Sequence, residues 1–258
     1  MSLVLPDELA SLPTEQVREM ACRAHLGVWT EQKRRLTMTP LHWEWTELAM
    51  RERRMCVIAP REHAKTETFT VNATAWRSIY TPGLWTYVFS QTDDQSKELI
   101  EKIVAAVEQA APWMLHRVRQ KSALRVRFAN GSRVDGAGAG KATRGKHPDI
   151  IVGDDVLEEK LCLTELMRKR TERWWKGSVG GMAHPGVTRW VRPFPGAPWT
   201  EVHLPPTRIF LVGTPFHEQD LLNGMASNPM YKFRRYAAEY RTIDLVPGTL
   251  AVAATGVR

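Results

Sequence analysis

The chain has 258 residues, 43% of them apolar and 25% charged, which suits a soluble globular protein with one large core and excludes a disordered or fibrous chain. No stretch approaches the ~18 uninterrupted apolar residues of a transmembrane helix, and MSLVLPDELASLPTEQ lacks the basic start and apolar centre of a signal peptide. Cys22, Cys56 and Cys162 have no CxxC spacing, so neither a zinc site nor a disulfide framework is indicated, and a cytoplasmic protein with reduced thiols is expected. Lys and Arg total 36 against 28 Asp and Glu, a formal net charge of +8. That excess favours a polyanionic partner such as nucleic acid over a basic surface that binds nothing. The cations concentrate in KRR (33–35), RERR (51–54), RVRQKSALRVR (117–127) and MRKRTER (167–173).

Taken in chain order, residues 7–25 carry apolar side chains at helical spacing and predict an N-terminal helix. LTMTPLHWEWTELAM (36–50) predicts a Trp-rich helix that starts at Thr39-Pro40. MCVIA (55–59) is a short apolar run of the kind found in buried parallel strands, with a helix expected over 65–80. WTYVFS (85–90) is a second strand, followed by the polar QTDDQS and a helix over 97–110. ALRVRFANGSRVDG (123–136) alternates on either side of Asn130-Gly131 and predicts two strands joined by a tight turn. GAGAGKATRGK (136–146) reads as a loop, DIIVGDD (149–155) as a strand, and 157–176 as a charged helix. The proline-rich 184–207 reads as an irregular excursion, RIFLVGTP (208–215) as a strand, and FRRYAAEY (233–240) as a last one. Strands alternating with helices in this way predict an α/β fold with a mostly parallel sheet covered on both faces.

Three strand ends carry chemistry. A phosphate loop needs a strand that ends, a turn of inward-facing N–H groups, a Lys for the phosphates and a hydroxyl for Mg²⁺. VIAPREHAKTETFT (57–70) supplies them, with Lys65 and Thr66 following Pro60, Arg61, Glu62, His63 and Ala64. The two loop positions that usually hold glycine are Ala59 and Ala64, so read alone the stretch is equally a helix start with an exposed Lys. DIIVGDD ends in Asp154 and Asp155, the pair that phosphoryl transfer would use to order Mg²⁺ and to polarise water, or alternatively a helix N-cap. RIFLVGTP sets Thr214 where it could sense the γ-phosphate, or where a strand simply exits at Pro215.

The ordered set PREHAKT, YVFSQTDDQS, Arg144-Gly145, DIIVGDD and LVGTP resembles the ATPase domain of the large terminase subunit, the DNA-packaging motor of tailed bacteriophages. The resemblance covers roughly 36–240 and implies a P-loop NTPase domain over 36–245, a helical extension over 1–35 and a linker or tail over 246–258. It implies ATP and Mg²⁺, with Lys65 on the phosphates, Thr66 and Asp154 on Mg²⁺, and Arg61 near the γ-phosphate. Asp155 stands where the family usually has a catalytic Glu, with Glu158 or Glu159 as substitutes. Arg144 matches the arginine that reaches a neighbouring subunit's site, Thr214 falls in the coupling motif, and Pro40 and His42 fall in the adenine-contacting stretch, with Trp43 or Trp45 as stacking partners. The implied partners are double-stranded DNA, a homo-oligomeric ring (a pentamer), the portal protein and the small terminase subunit, at the procapsid portal in the host cytoplasm and without a membrane. The family usually adds a ribonuclease-H-like nuclease domain, for which this sequence has no acid set, so the ATPase part alone, without nuclease activity, is expected. The other readings are a helicase-like ATPase, for which no second motor domain is seen, and a nucleic-acid-binding module with a degenerate nucleotide site.

Overall fold

The computed structural model describes residues 13–115, 123–141 and 145–237. Among the described residues nine strands fall in chain order at β1 Arg54–Ile58, β2 Trp85–Ser90, β3 Arg125–Arg127, β4 Arg133–Gly138, β5 Ile150–Asp154, β6 Val187–Val191, β7 Thr200–Leu204, β8 Arg208–Gly213 and β9 Lys232–Arg235. Seven of them form one sheet in the order β3-β4-β2-β5-β8-β1-β9, and β6 and β7 form a separate ribbon. Every pairing in the main sheet is parallel except β3 with β4.

The central strands read as unbroken apolar runs because both of their faces are covered. Alternate residues point to opposite sides of a strand. Met55, Val57, Val152, Phe210 and Val212 therefore enter one core, while Cys56, Ile58, Ile151, Ile209 and Leu211 enter the other. The first core lies under α1 Thr14–Ala24, α2 Leu26–Arg34, α3 Pro40–Arg51, α4 Ala73–Tyr80 and α5 Asp93–Ala110. Cys22, Leu26 and Trp29 are fully buried in it, so the described part of the N-terminal segment packs into the same core as the sheet. The second core lies under α6 Glu159–Cys162 and α8 Leu221–Gly224, with Trp174 and Trp175, which directly follow α7 Glu165–Arg173, packed against the strands.

Several expected elements differ, each for a local reason. The N-terminal helix breaks at His25, whose ring Nδ1 accepts from Gly27 N–H and starts α2. α5 begins within the polar QTDDQS, because the Thr92 hydroxyl accepts from Gln95 N–H as a helix cap. β4 runs to Gly138, so the first glycines of GAGAGKATRGK are strand and not loop. A Cβ on Gly138 would lie 3.0 Å from the Asp93 nitrogen, and glycine there lets the start of α5 sit on the strand. The helix expected over 157–176 is broken into α6, α7 and a π-helical segment Trp174–Val179.

The largest correction concerns 184–207, which was expected to be irregular. It holds the antiparallel β6–β7 ribbon, with its prolines flanking the strands or in the connection between them. The ribbon is pinned to the sheet by Asp149, which is 3% exposed just before β5. Asp149 accepts from Trp85 N–H at 2.6 Å and pairs with His184 Nε2 at 2.9 Å and with the Arg189 guanidinium. Thr207 closes the far end, its hydroxyl donating to Pro148 O at 2.9 Å.

Candidate nucleotide site

The loop after β1, the end of β5 and the exit of β8 meet at the carboxyl edge of the sheet, where open α/β sheets bind ligands. β8 lies between β1 and β5, so Thr214 stands between the loop and the acid pair. Its N–H donates to Asp155 Oδ1 at 3.0 Å, and its hydroxyl donates to Ala59 O at 3.3 Å. Thr214 therefore ties the start of the loop to the second aspartate.

Lys65 is 6% exposed, with Nζ 3.3 Å from Asp155 Oδ2. Thr66 donates its hydroxyl to Asp154 Oδ1 at 3.0 Å. Asp154 is 2% exposed, and its Oδ2 has no hydrogen-bond partner. Burial pushes its pKa up to about 6; Asp155 adds to the rise, while the Thr70 and Thr66 hydroxyls and the Lys65 ammonium pull the other way. A buried carboxylate with a free oxygen beside a hydroxyl fits a Mg²⁺ ion, which is held through one or two carboxylates, waters and phosphate oxygens. Among the described residues no group of three or more His, Cys, Asp or Glu side chains forms a self-sufficient metal cage. That donor set accords with a metal that arrives with a nucleotide.

The loop backbone is bent at one of its two alanines and at Glu62. Glu62 and Ala64 have φ of 65° and 56°, in the left-handed region where glycine is the usual residue. A side chain there costs roughly 1–2 kcal/mol. Strained residues of this kind cluster at ligand clamps and active sites, so the loop is a candidate for the phosphate-binding turn. Asp155 is also left-handed, with φ of 44°. The helix expected from Lys65 forms, but Thr66–Asn72 is π-helical before α4 begins. Such turns concentrate at functional sites.

The remaining sequence-derived residues divide. His42 reaches the loop, with Nε2 3.3 Å from His63 O, and Thr39 and His42 cap α3 reciprocally. The Arg61 guanidinium stands 5.9 Å from the centre of the Phe216 ring, and Arg61 and Glu62 are exposed. Pro60 begins the turn. Glu158 ion-pairs with Lys160 at 2.7 Å; that contact and Gln91 hold its carboxyl below the usual range. Glu159 is exposed at the start of α6. Arg144 lies outside the described residues.

The stacking role expected of the tryptophans is not supported. Trp45 is fully buried between Phe69 and Tyr236, and Trp43 packs against His25 and the backbone at Gly27. Both belong to the packing of α3. Sequence reading missed the polar side of the site, a cleft of about 140 Å³ where Ser90, Gln95, Glu98 and Lys102 face Thr66 and Asp154. QTDDQS signalled it, since polar residues directly after an apolar parallel strand lie at the carboxyl edge of the sheet.

No match is found among family models or among curated proteins. Solved structures do match. The large terminase ATPase domain of Thermus phage P74-26 aligns over 86% of this chain and 85% of its own, with a TM-score of 0.50 and 14% identity. An arginine-to-alanine variant of that domain aligns over 87% and 86%, with a TM-score of 0.51 and 13% identity. The fold is that of a phage large-terminase ATPase domain. In this terminase-like fold the expected α/β architecture is present, with a seven-stranded, mostly parallel sheet. Among the described residues no helix is long and apolar enough to cross a membrane.

Many of the cations are engaged within the protein. Lys33 pairs with Glu19 at 2.7 Å, Arg34 with Glu67 at 2.8 Å, Arg51 with Glu52 at 3.1 Å and Lys169 with Glu165 at 2.5 Å. Arg53 and Arg168 donate to backbone carbonyls. Clusters that look available in the sequence are thus partly internal, and part of the 117–127 cluster lies outside the described residues.

Proposed function

We propose that this chain is the ATP-hydrolysing motor part of a large terminase, moving double-stranded DNA into a capsid. The observation that carries the reading is the approach of Thr66 to Asp154 at 3.0 Å across the intervening β8. Residues far apart in sequence converge there in the order that phosphoryl transfer needs. Lys65 would leave Asp155 for the β- and γ-phosphates of ATP, and the N–H groups of the strained loop would cradle them. Asp155, freed on one oxygen and still held by Thr214 on the other, would orient the attacking water. Thr66 and Asp154 would hold Mg²⁺, which neutralises phosphate charge when bound. Thr214 would then report the state of Asp155 to the loop at Ala59.

Arg144 is proposed to complete a neighbouring protomer's site within a ring, a role worth on the order of 10³–10⁵ in rate. This part rests on the sequence resemblance alone, as do the pentamer, the portal protein and the small subunit. ATP turnover per protomer, measured across protein concentrations with Lys65→Ala as the blank, tests the reading. A rate that rises with concentration and vanishes in Lys65→Ala is expected; a wild-type rate in that variant would overturn it. Asp155→Asn should bind ATP without hydrolysing it, and if Glu158→Gln does so instead, the water-orienting role moves to Glu158. Arg144→Ala mixed with Lys65→Ala should recover part of the rate if the arginine acts in trans.

A further inference from the structure

The amino edge of the sheet carries a second, larger concavity. A cleft of about 600 Å³ lies between the starts of β2 and β4 and the β6–β7 ribbon. β2, six residues long, separates it from the carboxyl edge by about 17 Å. The ribbon reaches over the edge because Val191 seats on Gly83, whose φ is +76° and where a Cβ would lie only 2.5 Å from Val191 Cγ1. Together with the Asp149 anchor, this makes the cleft a built feature of the fold.

Its walls combine guanidinium groups with indoles. Arg133 lies 3.6 Å from the centre of the Trp85 ring, and Arg192 lies 5.0 Å from that of Trp199. Trp190 and Trp199 are 65% and 59% exposed, so two large aromatic faces stand open to solvent beside the arginines. Two buried acids serve this region: Asp135, shared by Arg125 and Arg133, and Asp149, taken by Arg189 and His184. Arg127 and Arg192 have no carboxylate partner among the described residues. Burial lowers the Arg133 pKa, Asp135 opposes this, and Arg125, Arg127 and Arg189 lower it further by repulsion. The cleft thus carries more positive charge than its own acids neutralise.

We propose that this cleft binds single-stranded nucleic acid, with phosphates on Arg127 and Arg192 and unpaired bases stacked on Trp190 and Trp199. Uncompensated arginines select a polyanion, and exposed indoles select one with free aromatic faces. A duplex keeps its base faces stacked inside and offers those indoles only backbone and the base edges in its grooves. An acidic peptide would satisfy the arginines and leave the indoles idle. This inference is independent of the ATPase reading, because it concerns the opposite end of the strands and requires no turnover.

Fluorescence anisotropy with a short labelled oligothymidine strand and a labelled duplex of equal length tests it, without ATP or divalent cation. The strand should bind more tightly than the duplex and quench tryptophan fluorescence. Trp190→Ala and Trp199→Ala should each weaken the strand on the order of tenfold and leave the duplex unchanged, while Trp199→Phe keeps most of the affinity. Both substitutions are at exposed positions, and unchanged thermal melting checks that the variants fold. The Arg127→Ala, Arg192→Ala double variant should reduce the salt slope for the strand by about 1.4. Equal affinity for strand and duplex, unaffected by the tryptophan substitutions, would overturn the proposal. So would a cleft that takes an acidic peptide and neither oligonucleotide.

Discussion

The two edges of one parallel sheet differ in almost every physical respect. At the carboxyl edge two buried groups, Lys65 and Asp154, are engaged at short range: Lys65 on the half-exposed Asp155, Thr66 on Asp154, and Thr214 holding Asp155. The backbone there is bent into left-handed turns without glycine. At the amino edge the arginines outnumber the two buried acids that serve them, the backbone is relaxed apart from its glycine turns, and large rings stand in solvent. The first arrangement suits a small ligand held in one pose, because buried groups act strongly at short range and tolerate little displacement. The second suits a polymer gripped at many points, because exposed charge and flat rings accept variation in position. One sheet can present both because the parallel strands point all their carboxyl ends one way and leave the amino edge to an added ribbon.

Three substitutions bear on this contrast, the largest first. Asp149→Ala removes a buried carboxylate from Arg189, His184 and the Trp85 N–H, so urea unfolding should show a loss of about 3–5 kcal/mol. In the folded fraction the ribbon should lose its anchor and oligonucleotide binding should fall, while nucleotide binding at the loop survives. Loss of both together would mean that the two edges are one cooperative unit.

The next effect is at Asp154 and runs toward stability. Its pKa is raised from 3.8 to about 6, so folding favours the protonated acid and the charged form is a burden. Without nucleotide or divalent cation, the stability that this group contributes is present at low pH and is lost as pH rises from about 4 to 6. Asp154→Asn should abolish that dependence and raise stability at pH 7 by up to about 3 kcal/mol, while removing ATP turnover. Urea midpoints for both proteins across the same pH range measure it, and an unchanged slope in the variant would assign the burden elsewhere.

The smallest effect is Ala64→Gly. Relief of the left-handed strain and the added freedom of the unfolded chain nearly cancel, so stability should stay within about 1 kcal/mol of the original. Nucleotide affinity, read by equilibrium titration, should be kept. A large loss would mean that the methyl group itself makes a contact in the loop.

The sequence by itself determined the central buried strands, because runs such as MCVIA and DIIV have no polar face and suit only a sheet buried on both sides. It also determined that a Lys-Thr pair and an Asp pair stand at strand ends, since strand length and the following polar residues are local properties. Only the tertiary structure decided that β8 separates β1 from β5 and brings Thr66 to Asp154, because strand order follows from how helices pack and not from neighbours in the chain. It alone decided that Trp45 is core while Trp190 and Trp199 are surface, as identical residues at similar spacing differ only in what covers them. The ribbon in 184–207 was hidden for the same reason. Its prolines argue locally against regular structure, and the pairing of Val187–Val191 with Thr200–Leu204 is held from outside, by Asp149 and Thr207. Local composition settles which segments become strands, and long-range contacts settle which of their ends become sites.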